Sequence, residues 1–104
     1  MRKHIPHKFT DVNIIRSILL NINEHIDTDY NDYKISDTRY IAIIKSLIQF
    51  GIVSHTENNT SYNTSELIIA NIDLFNKWSK RGFYSTIEKF IIPILLESIK
   101  LLQF

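Results

Sequence analysis

Residues 36–53 read SDTRYIAIIKSLIQFGIV and carry the clearest secondary-structure signals of the chain. Ser36 is a typical N-cap residue and Gly51 is typical of the position after a helix end, so the stretch predicts a helix over residues 37–50. At about 100° per residue, one broad arc of this helix is apolar and the opposite arc is mostly polar. The apolar arc consists of Tyr40, Ile41, Ile43, Ile44, Leu47, Ile48 and Phe50, and the opposite arc of Thr38, Arg39, Ala42, Lys45, Ser46 and Gln49.

A second helix is predicted upstream, over residues 12–25. Thr10 or Asp11 can cap it, and isoleucine and leucine recur at helical spacing along it. The segment between the two helices, residues 27–35, reads DTDYNDYKI and is polar, acidic and rich in turn formers. It can hold one short helical turn or a short extended piece.

A hairpin and two further helices are predicted downstream. Ile52 and Val53 begin a strand, residues 54–65 (SHTENNTSYNTS) form a polar tip, and residues 67–70 return as a second strand. Asn71 or Asp73 can cap a helix that ends near Gly82. A last helix runs over residues 86–104, with a proline that bends or weakens it.

This order of elements resembles that of winged-helix domains. The residues that carry the resemblance are Ser36 to Tyr40 at the helix start, Phe50 to Val53 at its end, and the polar hairpin. The chain is similar to small winged-helix proteins of low-GC bacteria and their phages, in which a short helix follows the second wing strand. Here residues 73–80 would be that helix.

The resemblance implies a mainly α, α+β fold: a winged helix-turn-helix with a two-stranded β wing and an extra C-terminal helix. The winged-helix domain would cover residues 11–82. A flexible basic arm would precede it over residues 1–10, and an apolar helix would follow over residues 83–104. The helix that begins at Ser36 would be the recognition helix in the major groove of DNA.

Composition limits the classes of function. The 104 residues suffice for one small domain, and a 44% hydrophobic content is enough for a packed core. A formal net charge of +1 argues against a polybasic nucleic-acid coat, and the absence of cysteine excludes disulfides and thiol chemistry. No secretory signal and no apolar run of membrane-spanning length is present, so we expect a soluble, cytoplasmic protein.

The polar arc of the helix over residues 37–50 is the best candidate for a binding surface. Arg39 and Gln49 can read base edges, Lys45 suits phosphate, and Ala42 would permit close approach to a groove. The predicted contacts to double-stranded DNA are Ser36, Thr38, Arg39, Lys45 and Gln49, with Asn59 and Tyr62 from the wing. The expected function is sequence-specific DNA binding as a small dimeric transcriptional regulator.

Three features favour an alternative, a protein-binding adaptor or inhibitor of the phage or mobile-element type that blocks a host protein. The net charge is close to zero, and the hairpin tip contains no lysine or arginine, so it would release few counterions on DNA. The acidic segment with Glu24, Asp27, Asp29 and Asp32 would lie near the DNA backbone and repel it. No catalytic motif and no metal-ligand spacing among the four histidines is present, so neither an enzyme, a metal nor a cofactor is predicted.

The two ends of the chain carry the remaining signals. The N-terminal arm is basic and could reach a DNA groove or phosphate through Arg2, Lys3, His4, His7 and Lys8. The last helix is apolar over most of its circumference, more than one small domain can bury. We expect it to form a homodimer rather than to bind a membrane, through Phe90, Ile91, Ile94, Leu95, Ile99 and Leu102.

Overall fold

A computed structural model describes residues 2–79, together with Glu97 and Lys100. Three α-helices lie in the described part: α1 (Asp11–Asn23), α2 (Asp37–Gln49) and α3 (Ile72–Ser79). Two strands, β1 (Val53–His55) and β2 (Leu67–Ile69), form an antiparallel pair. Short 3₁₀ helices precede α2 (Tyr30–Tyr33) and β2 (Thr64–Glu66). The predicted α+β class is confirmed. The predicted dimer helix lies outside the described residues except for Glu97 and Lys100.

The two long helices begin and end in the same way. The hydroxyl oxygens of Thr10 and Ser36 each accept a hydrogen bond from a backbone N–H in the first turn. At the C-terminal end of α2, Gly51 has a φ of 72°, and the N–H of Ile52 donates to the carbonyl of Leu47. This is a Schellman motif, as the glycine predicts. α1 ends in the same motif, but the left-handed residue there is His25, with a φ of 56°.

The predicted hairpin is present, with strands of three residues each. Val53 pairs with Ile69 and His55 with Leu67. The carbonyl of Ile52 accepts hydrogen bonds from the N–H groups of Ala70 and Asn71, which extends the contact beyond the strands. The second 3₁₀ helix takes up the end of the predicted polar tip, so the returning strand begins directly after it.

The core joins α1, α2 and the hairpin. Its fully buried side chains include Ile15, Ile18 and Ile22 of α1, Ile43, Ile44 and Leu47 of α2, and Ile52 and Leu67 at the hairpin. The ring of Tyr33, in the first 3₁₀ helix, stacks on that of Tyr40 at 6.1 Å between centroids. This contact fixes the turn between the helices against α2.

The buried side of α2 differs from the predicted apolar arc. Ala42 and Ser46 are buried, not exposed, so Ala42 cannot form the centre of a binding face. Ile41 and Ile48 are only half-buried, and Phe50 is 43% exposed. α2 packs against both β1 and the first 3₁₀ helix, so contacts with these neighbours shift the buried arc toward its small residues. Among the described residues, no helix is long and apolar enough to cross a membrane.

Candidate functional site

The exposed side of α2 carries five residues, which we call the α2 face: Thr38, Ile41, Lys45, Ile48 and Gln49. Their spacing places them on one stripe along the helix. Three of them are polar and exposed, and the two isoleucines between them are half-buried. The stripe therefore combines groups that can hydrogen-bond to a partner with apolar groups that can pack against one.

Arg39 and Ser36, two of the predicted DNA contacts, stabilise the N-terminal end of α2. The guanidinium of Arg39 forms an ion pair with Asp11, so it joins the first turn of α2 to the first turn of α1. The hydroxyl of Ser36 accepts a hydrogen bond from the Arg39 N–H at 3.1 Å and caps α2. Both residues orient α2, and Arg39 would have to leave Asp11 to reach a base.

Lys45 links the α2 face to the loop of the hairpin. Its ammonium lies 5.8 Å from the ring centroid of Tyr62, within the range of a cation–π contact. The Tyr62 ring in turn lies 5.4 Å from that of His55 in β1. Asn59 accepts a hydrogen bond from the Ser61 N–H at 2.8 Å and shapes the loop. The structure thus brings Lys45 and Tyr62 together and places Asn59 in the same loop.

The charge of the described region is close to balanced. Residues 2–79 contain eight lysines and arginines against nine aspartates and glutamates. The segment between β1 and β2 contributes Glu57 and Glu66 to that count and no lysine or arginine. A general electrostatic attraction to a polyanion is therefore weak in this region, and recognition by the α2 face depends on local contacts.

A buried polar network, which the sequence does not reveal, connects the elements behind α2. The Asn21 amide donates to the Tyr33 hydroxyl at 2.7 Å, and Tyr33 donates to the Thr28 hydroxyl at 3.1 Å. The Thr28 and Thr64 hydroxyls lie 2.9 Å apart, and Thr64 donates to the carbonyl of Ile26. Because the single proton of Thr64 is used there, Thr28 donates to Thr64, and the chain of donors has one direction.

Burial keeps the two tyrosines of this region protonated. It raises the pKa of Tyr33 to about 12, and it also raises the pKa of Tyr40, whose hydroxyl donates to the carbonyl of Thr28. Both phenols are therefore neutral hydrogen-bond donors at physiological pH. The network holds the loop and the hairpin base on the two helices and offers no acid or base for catalysis.

The N-terminal residues, which the sequence predicts as a flexible arm, lie along α1. We call residues 4–8 the strap. The side-chain oxygen of Asn21 accepts from the His4 N–H at 2.8 Å, and its amide donates to the His4 carbonyl at 3.0 Å. Asn13 donates to the carbonyl of Lys8 at the other end. Two side chains of the predicted arm also have acidic partners, since Lys3 pairs with Asp32 and His4 contacts Glu24.

Within the described residues, no group of three or more histidines and carboxylates is placed to hold a metal ion. No family model, curated protein or solved structure matches the chain. The function must therefore be inferred from the residues of the α2 face, the hairpin loop and the strap.

Proposed function

We propose that this chain is a winged-helix domain that binds double-stranded DNA, with α2 as the recognition helix in the major groove. The element order supports the proposal, because a helix, a helical turn, a second helix and an antiparallel hairpin follow one another. The first 3₁₀ helix stands where winged-helix domains place a short second helix. The biological role that fits such a small domain is transcriptional regulation.

One observation carries this proposal: Lys45 of the α2 face lies beside Tyr62 of the hairpin loop. The recognition helix and the wing can therefore contact the same duplex. In this arrangement Gln49 reads an adenine edge, Lys45 binds a phosphate, and Thr38 contacts a base or phosphate near the helix start. Ser36 and Arg39 position α2 and do not contact bases.

The balanced charge also predicts how the affinity for DNA depends on salt concentration. Few cations face the duplex, and Arg39 is paired with Asp11. Each phosphate neutralised contributes about 0.9 to the slope of log K against log salt. We expect a slope of about −1 to −2 per domain, shallower than that of a protein with many phosphate contacts.

The test is a selection from a random duplex library with the full chain at low salt, followed by sequencing. Enrichment of one motif supports the proposal. Gln49→Ala should then weaken binding to that motif by about 1–3 kcal/mol and relax specificity at one position. Asn23→Ala, which removes an amide from an exposed position of α1, is the matched control and should bind normally.

A second candidate function is protein binding, as an adaptor or inhibitor without DNA binding. Ile41 and Ile48 favour it, because they leave apolar surface in the middle of the α2 face. A partner with an apolar groove would bury both. Ile41→Asp should then abolish capture of the partner, whereas Gln49→Ala should have little effect; the opposite ranking is expected for DNA.

We also propose that the chain forms a homodimer through Phe90, Ile91, Ile94, Leu95, Ile99 and Leu102, all of which lie outside the described residues. The support is the apolar composition of that segment. Sedimentation of the full chain should give a dimer, and Leu95→Glu should give monomers or aggregates. A dimer of unchanged stability in that variant would contradict this assignment.

A further inference from the structure

The strap lies along α1 and is hydrogen-bonded to it at both ends. Asn13 holds the Lys8 end and Asn21 holds the His4 end. These two asparagines lie on the same side of α1, about 12 Å apart along the helix at 1.5 Å per residue. Pro6 in the middle of the strap restricts its backbone further. The strap is therefore held in place before any ligand arrives.

A groove lies between the strap and α1, with a volume of about 410 Å³. This volume is in the range of sites that hold small ligands or a few side chains. Its described lining consists of the strap itself and residues from two turns of α1: His4, Ile5, Pro6, His7, Lys8, Asn13, Arg16, Ser17 and Leu20.

The described lining residues combine basic and apolar side chains. Lys8 and Arg16 are cationic, and none of the described lining residues is acidic. Ile5, which is 42% exposed, adds apolar surface together with Pro6 and Leu20. A complementary ligand carries carboxylate or phosphate charge next to an apolar group.

We propose that this groove binds a short acidic peptide segment of a partner protein, with a leucine-like side chain against Ile5 and carboxylates near Lys8. A nucleic-acid backbone would match the cations but would leave the apolar residues without a partner. The site lies on α1, and it does not depend on the role proposed for α2. The strap would supply affinity by being ordered in advance, because little conformational entropy is then lost on binding.

The test is a titration of the full, ¹⁵N-labelled chain with hexapeptides of aspartate, glutamate and leucine. Matched peptides with lysine in place of the acids, inorganic phosphate and a short DNA duplex are the comparison probes. We expect saturable shifts of the backbone amides of the strap and of Asn13, Arg16 and Ser17 with the acidic peptides alone. No shift with the acidic peptides, or equal shifts with phosphate or duplex, would overturn the proposal.

Two variants locate the binding. Lys8→Glu reverses an exposed charge at the groove and should weaken peptide binding about tenfold. Arg2→Glu makes the same change just outside the groove and is the matched control, which should bind like the unaltered chain. Thermal unfolding of both variants checks that the fold is kept. Equal affinities of the two variants for the acidic peptide would contradict the assignment of the site.

Discussion

The two long helices are alike in construction and differ in what covers their polar sides. Each has 13 residues, a hydroxyl cap and a Schellman motif at its end. On α1 the strap hydrogen-bonds to the buried Asn21. On α2 the polar residues of the α2 face are exposed. Among the described residues, the polar side chain of Asn21 is therefore inaccessible to a partner, whereas those of Thr38 and Lys45 are accessible.

The two helices also differ in the hydrogen bonding of a buried polar side chain. Asn21 is completely buried, but its oxygen and its amide both have partners in the strap and at Tyr33. Ser46 of α2 is equally buried, and its hydroxyl has no hydrogen-bond partner among the described residues. A satisfied buried amide stabilises the fold, whereas an unsatisfied hydroxyl destabilises it. Substitutions at the two positions should therefore act in opposite directions.

The largest expected effect is that of Asn21→Ala. The variant leaves the His4 backbone groups without their partner and removes a donor to Tyr33, so we expect a loss of about 3 kcal/mol in the free energy of unfolding. Urea denaturation at neutral pH measures it. Asn13→Ala removes one bond at the less buried end of the strap and should cost about 1 kcal/mol. Equal losses at both positions would mean that the strap, and not the buried network, accounts for the effect.

An effect of similar size is expected at alkaline pH. The pKa of Tyr33 is about 12 in the fold and about 10 in the unfolded chain, because burial disfavours the phenolate. The folded state therefore binds this proton more tightly, and its contribution to stability is fully present below about pH 10. As pH rises from about 10 to 12, the free energy of unfolding should fall by about 2 kcal/mol.

The variant Tyr33→Phe tests whether Tyr33 causes the loss of stability at alkaline pH. The variant has no phenol at this position to titrate, so its stability should decline less between pH 9 and 11 than that of the unaltered chain. Tyr30→Phe, at an exposed tyrosine of the same 3₁₀ helix, is the matched control and should keep the full decline. An unchanged decline in Tyr33→Phe would assign the alkaline loss to other groups.

The sequence predicts most of the fold because its signals are local. Ser36 and Gly51 mark the ends of α2, and the strand residues and the polar tip predict the hairpin. The left-handed position of His25 has no such signal, since histidine is not a typical residue after a helix end. For the segment that forms the first 3₁₀ helix, the sequence does not distinguish a helical turn from an extended piece, because its polar, turn-rich composition suits both.

The candidate sites were predictable only in part. Periodicity places Thr38, Lys45 and Gln49 on one exposed stripe. Periodicity does not predict whether Ala42 and Ser46 are buried, because small residues suit both surface and core. Their burial depends on neighbours from other elements. The strap was unpredictable for a related reason: its contacts with Asn13 and Asn21 involve amide groups that could equally face water.

A smaller effect of opposite sign is expected from Ser46→Ala. The substitution removes a buried hydroxyl without a partner and introduces a better helix former, so the free energy of unfolding should rise by about 1 kcal/mol. The comparison variant is Ser17→Ala, which makes the same change at a buried serine of α1. A loss of stability in Ser46→Ala would show that the hydroxyl has a partner in solution.

The smallest expected effect concerns the two helix ends. His25 and Gly51 hold equivalent left-handed positions, but only glycine adopts this conformation without a steric penalty. His25→Gly should stabilise the chain by about 0.5 kcal/mol, since the relief of strain exceeds the added freedom of the unfolded chain. His25→Ala keeps the Cβ atom and the strain, so it should leave stability nearly unchanged. If both variants gain equally, the histidine side chain and not the backbone conformation is the source of the strain at this end of α1.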